Sequence, residues 1–193
     1  MFVKVINAIV RPLFYLIFTY KFINAQNIPE SGALIVCANH LNALDPLFIE
    51  MAMRPRHVSF LAKMELFKNA FLAKLFTAYK MIPIDRDKPD LSSIKSVLSV
   101  LKKGNIIGIF PEGTRSRTGE MLEPKDGAAM FAVKTGTPVL PARIEWIKRK
   151  FYFPKVVVRF GEVFECKELG IDFSEKGALS SVSREIMKRI KEA

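Results

Sequence analysis

Residues 33–45 read ALIVCANHLNALD, a six-residue apolar run of strand length followed at once by a polar loop holding Asn39, His40, Asn42 and Asp45. The same grammar recurs along the chain. Strand-length apolar runs occupy residues 58–61, 81–84, 106–110, 138–144 and 156–160, and helix-length segments lie between them. Residues 64–79 carry Phe67, Phe71, Leu72, Leu75 and Phe76 at three- and four-residue spacing; residues 91–103, 127–134 and 182–191 also read as helices. Strand and helix in alternation predict a single α/β domain with a mixed, largely parallel central sheet flanked by helices. In such a sheet ligands sit beyond the carboxyl ends of the strands. That is where the loops at 39–45, 85–86 and 110–117 fall, so three loops are expected to converge on one pocket.

The chain has 193 residues, half of them apolar and 25% charged, a balance that excludes a disordered chain and permits a sizeable core. Cys37 and Cys166 lie far apart without a CxxC, and His40 and His57 are the only histidines. These are too few for a zinc ribbon or finger, so no metal site is expected, and reduced thiols in a cytosolic compartment fit best. Thirty Lys and Arg against nineteen Asp and Glu leave a charge of +11, favouring an anionic partner: nucleic acid, an anionic lipid surface or a phosphorylated substrate. Six basic residues against Glu65 alone fall within 54–80, and six against Glu145 alone within 143–159. No RRM signature, C2H2 spacing or base-reading basic helix is present, so nucleic acid is not the expected partner. A basic nucleic-acid-binding domain without catalysis is the alternative of a different class.

Residues 1–23 favour the lipid surface. Lys4, Asn7 and Arg11 recur at helical spacing, with Phe2, Val5, Ile6, Ile9, Val10 and Leu13 opposite them, as in an interfacial helix. Lys4, Arg11, Pro12 and Lys21 interrupt the run before the roughly 20 residues of a spanning helix. A cleaved leader is the rival reading, against which stand Lys21 after the apolar stretch and a poor cleavage site at 23–25.

Four segments carry chemistry. In residues 39–45 a histidine able to take a proton near neutral pH is followed, five residues on, by a carboxylate able to orient it. GxSxG is absent and Cys37 falls on the presumed buried strand, so the nucleophile is expected from the substrate. Asp45 before Pro46 equally suits a helix start, and His40 a strand end. In residues 110–117, FPEGTRSR, two arginines near Gly113 suit a tetrahedral oxyanion or phosphate, with Glu112 expected to orient an arginine; a charged turn fits the string as well. Residues 82–86, IPIDR, place Arg86 within reach of the same anion, and 139–144, VLPARI, read alone as structure.

Together and in this order, NHLNALD, IPIDR, FPEGTRS and VLPARI resemble the four motifs of the glycerolipid acyltransferase family, whose members include 1-acyl-glycerol-3-phosphate acyltransferases. The match spans about residues 33–144. The resemblance implies an O-acyltransferase in phospholipid biosynthesis. His40 is then the general base and Asp45 its orienting partner, while Arg86, Glu112, Gly113, Thr114 and Arg115 bind the acceptor's phosphate. Lys63, in FLAKMEL, resembles a family lysine that stabilises the oxyanion; a stem packed on a helix face is its other reading. The implied reaction moves an acyl group from acyl-CoA or acyl-carrier protein to the sn-2 hydroxyl of lysophosphatidic acid, without a cofactor. Alternative acceptors are glycerol 3-phosphate, another lysophospholipid or a lyso-ornithine lipid. The expected organisation is a membrane-interface helical segment, 1–24, before a catalytic domain, 25–193, on the cytoplasmic side of the cell membrane.

Overall fold

The computed structural model of the chain describes Phe14 and residues 17–85, 91–150 and 153–193. Seven strands form one sheet: β1 (Thr19–Ile23), β2 (Leu34–Ala38), β3 (Val58–Lys63), β4 (Ile82–Ile84), β5 (Ile106–Ile109), β6 (Val139–Ile147) and β7 (Lys155–Phe160). Their spatial order is β1-β7-β6-β2-β5-β3-β4. Every neighbouring pair is parallel except β6 and β7, so β1 and β7 run against the other five. The helices are α1 (Asp45–Ala52), α2 (Ala70–Ala78), α3 (Leu91–Lys102), α4 (Gly127–Thr135) and α5 (Ala178–Glu192).

β2 is the centre of the sheet and all five of its residues are buried. Successive side chains of a strand point to opposite faces. Ile35 and Cys37 therefore join the core built with α3, α4 and α5, and Leu34, Val36 and Ala38 join the core built with α1. Continuous apolarity in the sequence is the mark of this two-sided burial. On α5, Val182, Ile186 and Ile190 recur every four residues and all are buried.

Two local predictions change. Residues 19–23, expected to end the amino-terminal helical segment, are the edge strand β1, in register with Lys155–Arg159 of β7. Tyr20 and Phe22, two apart, pack on the α1-side core, a strand period rather than a helical one. The boundary at residue 24 thus cuts a strand away from its sheet. Of the rest of that segment, residues 1–13 and 15–16 lie outside the described residues. The expected helix over 64–79 is broken at Asn69, whose side chain accepts from the amides of Phe71 and Leu72, both at 3.1 Å. This cap opens α2 after a 3-10 turn, Met64–Lys68. Among the described residues no helix is long and apolar enough to cross a membrane.

Candidate active site

β2, β3 and β5 are parallel neighbours, so their carboxyl ends share one rim of the sheet. The loop after β2 brings His40 there. Asn39 fixes it by extending the β2–β6 ladder one step beyond the last paired residues, Ala38 and Ala142. Its side-chain Nδ2 donates to Ile144 O at 2.9 Å and its Oδ1 accepts from Ile144 N at 2.7 Å. The chain then turns into α1, whose N-cap is Leu44; Asp45 and Pro46 are the first helical residues. Rather than capping the helix, the Asp45 carboxylate points back into the loop. Its Oδ2 accepts from the amides of Leu41 and Asn42, each at 2.7 Å, and meets His40 Nδ1 at 2.8 Å. An oxygen already taking two backbone N–H bonds is an acceptor for the third. His40 therefore carries its proton on Nδ1, and Nε2 presents a lone pair.

The His40 ring stacks on Phe110 at 4.0 Å between centroids, and Phe110 stacks on Phe60. Gly108 makes room for this pile, because a Cβ there would fall 2.3 Å from the Phe60 ring. Only about a tenth of the His40 side chain is exposed, and it lines a cavity of about 620 Å³. Among the described residues nothing engages Nε2. The other histidine has both nitrogens occupied, by Glu50 Oε1 and by the Tyr79 carbonyl, each at 2.9 Å, and does not line this cavity.

Of the other predicted residues, Lys63, Gly113, Thr114 and Arg115 line the same cavity. Lys63 Nζ lies 3.4 Å from Glu65 Oε1 in a half-exposed pair. Glu112 differs from expectation. It is buried, with Oε1 accepting from His40 N at 2.8 Å and Oε2 from Leu122 N at 2.9 Å. Among the described residues it orients no arginine and does not line the cavity: it clamps the His40 backbone to the loop after β5. That clamp is doubled by Ser116 N donating to His40 O at 2.8 Å. Arg86 lies outside the described residues. Cys37 is wholly buried and burial pushes its thiol up, so it is no nucleophile.

The cavity also holds Lys125, which the sequence reading passed over. Its amide donates to Pro111 O at 2.8 Å, and its stem runs past Gly113, whose positive φ of 70° and missing Cβ leave the space. Ten residues separate it from the FPEGTR string, so only the return of the chain toward α4 reveals it. Leu66, Phe76 and Met81 add apolar side chains to the lining. Among the described residues no cluster of three His, Cys, Asp or Glu could hold a metal. A proton acceptor, cations and apolar side chains around one space suit transfer of an apolar group onto an anionic alcohol.

The sequence profile of the acyltransferase family matches residues 19–145. The chain belongs to the acyltransferase family. Its match begins at β1, so the edge strand lies inside the family domain. A 1-acyl-sn-glycerol-3-phosphate acyltransferase of Bacillus subtilis (strain 168) is 30% identical over 175 residues, 89% of this chain and 86% of that protein. One from Borreliella burgdorferi is 32% identical over 140 residues, 71% of this chain and 55% of that protein. The crystal structure of the 1-acyl-sn-glycerophosphate (LPA) acyltransferase PlsC from Thermotoga maritima superposes with a TM-score of 0.72. It is 28% identical, and the match covers 98% of this chain and 78% of that one. The chain is an O-acyltransferase with the mostly parallel α/β architecture of this family.

Proposed function

We propose that the protein transfers a fatty acyl group from acyl-CoA or acyl-carrier protein to the sn-2 hydroxyl of lysophosphatidic acid, forming phosphatidic acid. The observation that carries this reading is the Asp45-oriented His40 on the wall of a cavity shared with Arg115, Lys125 and Lys63. His40 Nε2 takes the hydroxyl proton as that oxygen attacks the thioester carbonyl, and Asp45 stabilises the imidazolium so formed. The tetrahedral oxyanion is met by a cation, Lys63 or Lys125. Such a donor is worth on the order of 3 kcal/mol in comparable sites. Collapse breaks the C–S bond, and the departing thiolate takes the proton back from His40. No acyl-enzyme forms. Arg115, with Gly113, Thr114 and Arg86, holds the acceptor's phosphate away from the reacting carbon, so that binding orients the hydroxyl.

The acceptor is an amphiphile, and the reading places the protein on the cytoplasmic face of an anionic membrane. Two features support this: the amphipathic pattern of residues 1–13 and the surface of α2, whose Phe76 lines the cavity. α2 has no buried residue although it carries Phe71, Leu72, Leu75 and Phe76, and Phe71 is 68% exposed. Lys68 and Lys74 flank it on the exposed surface. Apolar side chains set among lysines suit a bilayer interface with anionic lipid.

The test is purified protein with labelled acyl-CoA and acyl-carrier protein in parallel, a panel of glycerol-based acceptors, and product mass. A diacylglycerol phosphate is expected, lost in His40→Ala with the circular dichroism retained. Product on acceptors lacking phosphate, or near-normal rates in His40→Ala, would overturn the reading. Vesicle flotation is expected to weaken on deletion of residues 1–13 and in Phe71→Glu. Flotation unchanged in both would remove the membrane from the account.

A further inference from the structure

Asp45 is completely buried, and a buried carboxylate needs both oxygens answered. Oδ2 is answered from within the motif loop. Oδ1 is answered from 101 residues away, by Trp146 Nε1 at 2.8 Å. The register explains how the indole arrives: Ala142 pairs with Ala38, the last residue of β2, and β6 runs on to Ile147. The overrun carries Trp146 alongside the turn that holds the catalytic pair. Its ring is set edge-on by Phe48 of α1, with centroids 5.5 Å apart at 84°, and by Phe18, 5.9 Å away at 89°. Phe18 in turn packs on Phe14 at 5.2 Å and on Phe48 at 5.7 Å.

We propose that Trp146 is a positioning residue for the acyl-transfer base, and that Phe18 acts through it to tie the seating of the amino-terminal aromatic residues to the catalytic pair. An indole N–H only donates, so it needs an oxygen lone pair, and together with the three donors on Oδ2 it fixes the plane of the carboxylate. A carboxylate tilted out of that plane would loosen its contact with Nδ1 of His40, leaving the ring free to turn its lone pair away from the cavity. The indole can hold the carboxylate only while its own plane is held. Two aromatic edges hold it, one of them on the residue immediately before β1. The kinetic consequence rests on the acyl-transfer reading; the hydrogen bond does not.

The chain has a single tryptophan, so its 1H–15N spectrum contains one indole ε1 resonance. Asp45→Asn turns an amide N–H₂ toward the indole or loses the backbone donors, and is expected to move that resonance upfield. Trp146→Phe keeps an aromatic ring but no donor. It is expected to lower kcat about tenfold to a hundredfold, with KM for both substrates within about twofold. Phe18→Ala is expected to move the resonance and lower kcat by a smaller factor, again with KM unchanged. If Trp146→Phe fails to fold, β-(benzothiophen-3-yl)alanine at 146, which retains the bicyclic shape and replaces N–H by sulfur, makes the same test. A folded Trp146→Phe with wild-type kcat, or an ε1 resonance unmoved by Asp45→Asn, overturns the positioning role. A resonance and kcat both indifferent to Phe18→Ala overturn the tie to the amino terminus. Should the wild-type protein transfer no acyl group to any acceptor, the acyl-transfer reading fails by itself, and the resonance still decides whether the bond exists.

Discussion

Replacing Glu112 with glutamine separates a substrate contact from a structural clamp. Both carboxylate oxygens are bonded to backbone amides, His40 N at 2.8 Å and Leu122 N at 2.9 Å. In Glu112→Gln one oxygen becomes an N–H₂ that faces an N–H it cannot accept from. One charge-assisted bond, worth about 1.5–3 kcal/mol, is lost, and the other falls to a neutral bond, a further loss of about 1 kcal/mol. The sum, about 3 kcal/mol, corresponds to a Tm lower by roughly 6–12 °C in a chain of this length. Urea unfolding is the assay, and the midpoint should fall with the slope unchanged. Whichever amide is freed, the tether between His40 and the loop after β5 slackens, so kcat should drop while acceptor KM stays within about twofold. A variant of wild-type stability whose only defect is a raised acceptor KM would refute the clamp and return Glu112 to the phosphate site.

Arg115→Ala should raise acceptor KM about tenfold or more, since a charge-assisted contact to phosphate contributes about 1.5–3 kcal/mol; steady-state kinetics with unchanged acceptor KM would remove its phosphate role. Gly108→Ala drives a methyl into the Phe60 ring beneath Phe110 and His40, so a loss of about 1–3 kcal/mol in unfolding free energy and a lower kcat are expected together. Burial pushes the Cys166 thiol up to about 11, and burial together with its neighbour Cys166 pushes Cys37 up as well. Unfolded thiols ionise near about 8.5, so this contribution is fully present below that pH and lost as pH rises toward 11. The urea midpoint should fall over that interval, and less steeply in the Cys37→Ala, Cys166→Ala double variant; equal slopes would refute the assignment.

The central strands are legible in the sequence because burial on both faces leaves no polar residue to interrupt them, as in β2 and β5. The His40–Asp45 pair is legible because six consecutive residues, 40–45, contain it. β1 is not, since TYKFI follows an apolar run, and its strand character comes from pairing with β7 more than 130 residues later. The antiparallel placement of β7 is equally non-local. Glu112 shows a subtler limit: its residue type suits an ion pair with an arginine, but two convergent amides settle its role, and those come from backbone geometry. Lys125 and Trp146 enter the site through chain reversals that no short spacing encodes.

The stack of His40 on Phe110 and Phe60 has a bearing on waste. A base without a nucleophile of its own will deprotonate whatever hydroxyl reaches it, and water at tens of molar is always the most abundant candidate. One face of the imidazole is covered by an aromatic ring and most of the side chain is enclosed, and the cavity it lines is also lined by Leu66, Phe76 and Met81. On the proposed reaction, an acceptor that fills this space displaces the solvent that would otherwise hydrolyse a thioester donor. The ratio of futile cleavage to productive turnover is then set by how completely the acceptor plugs the opening, and it should worsen as the acceptor is shortened.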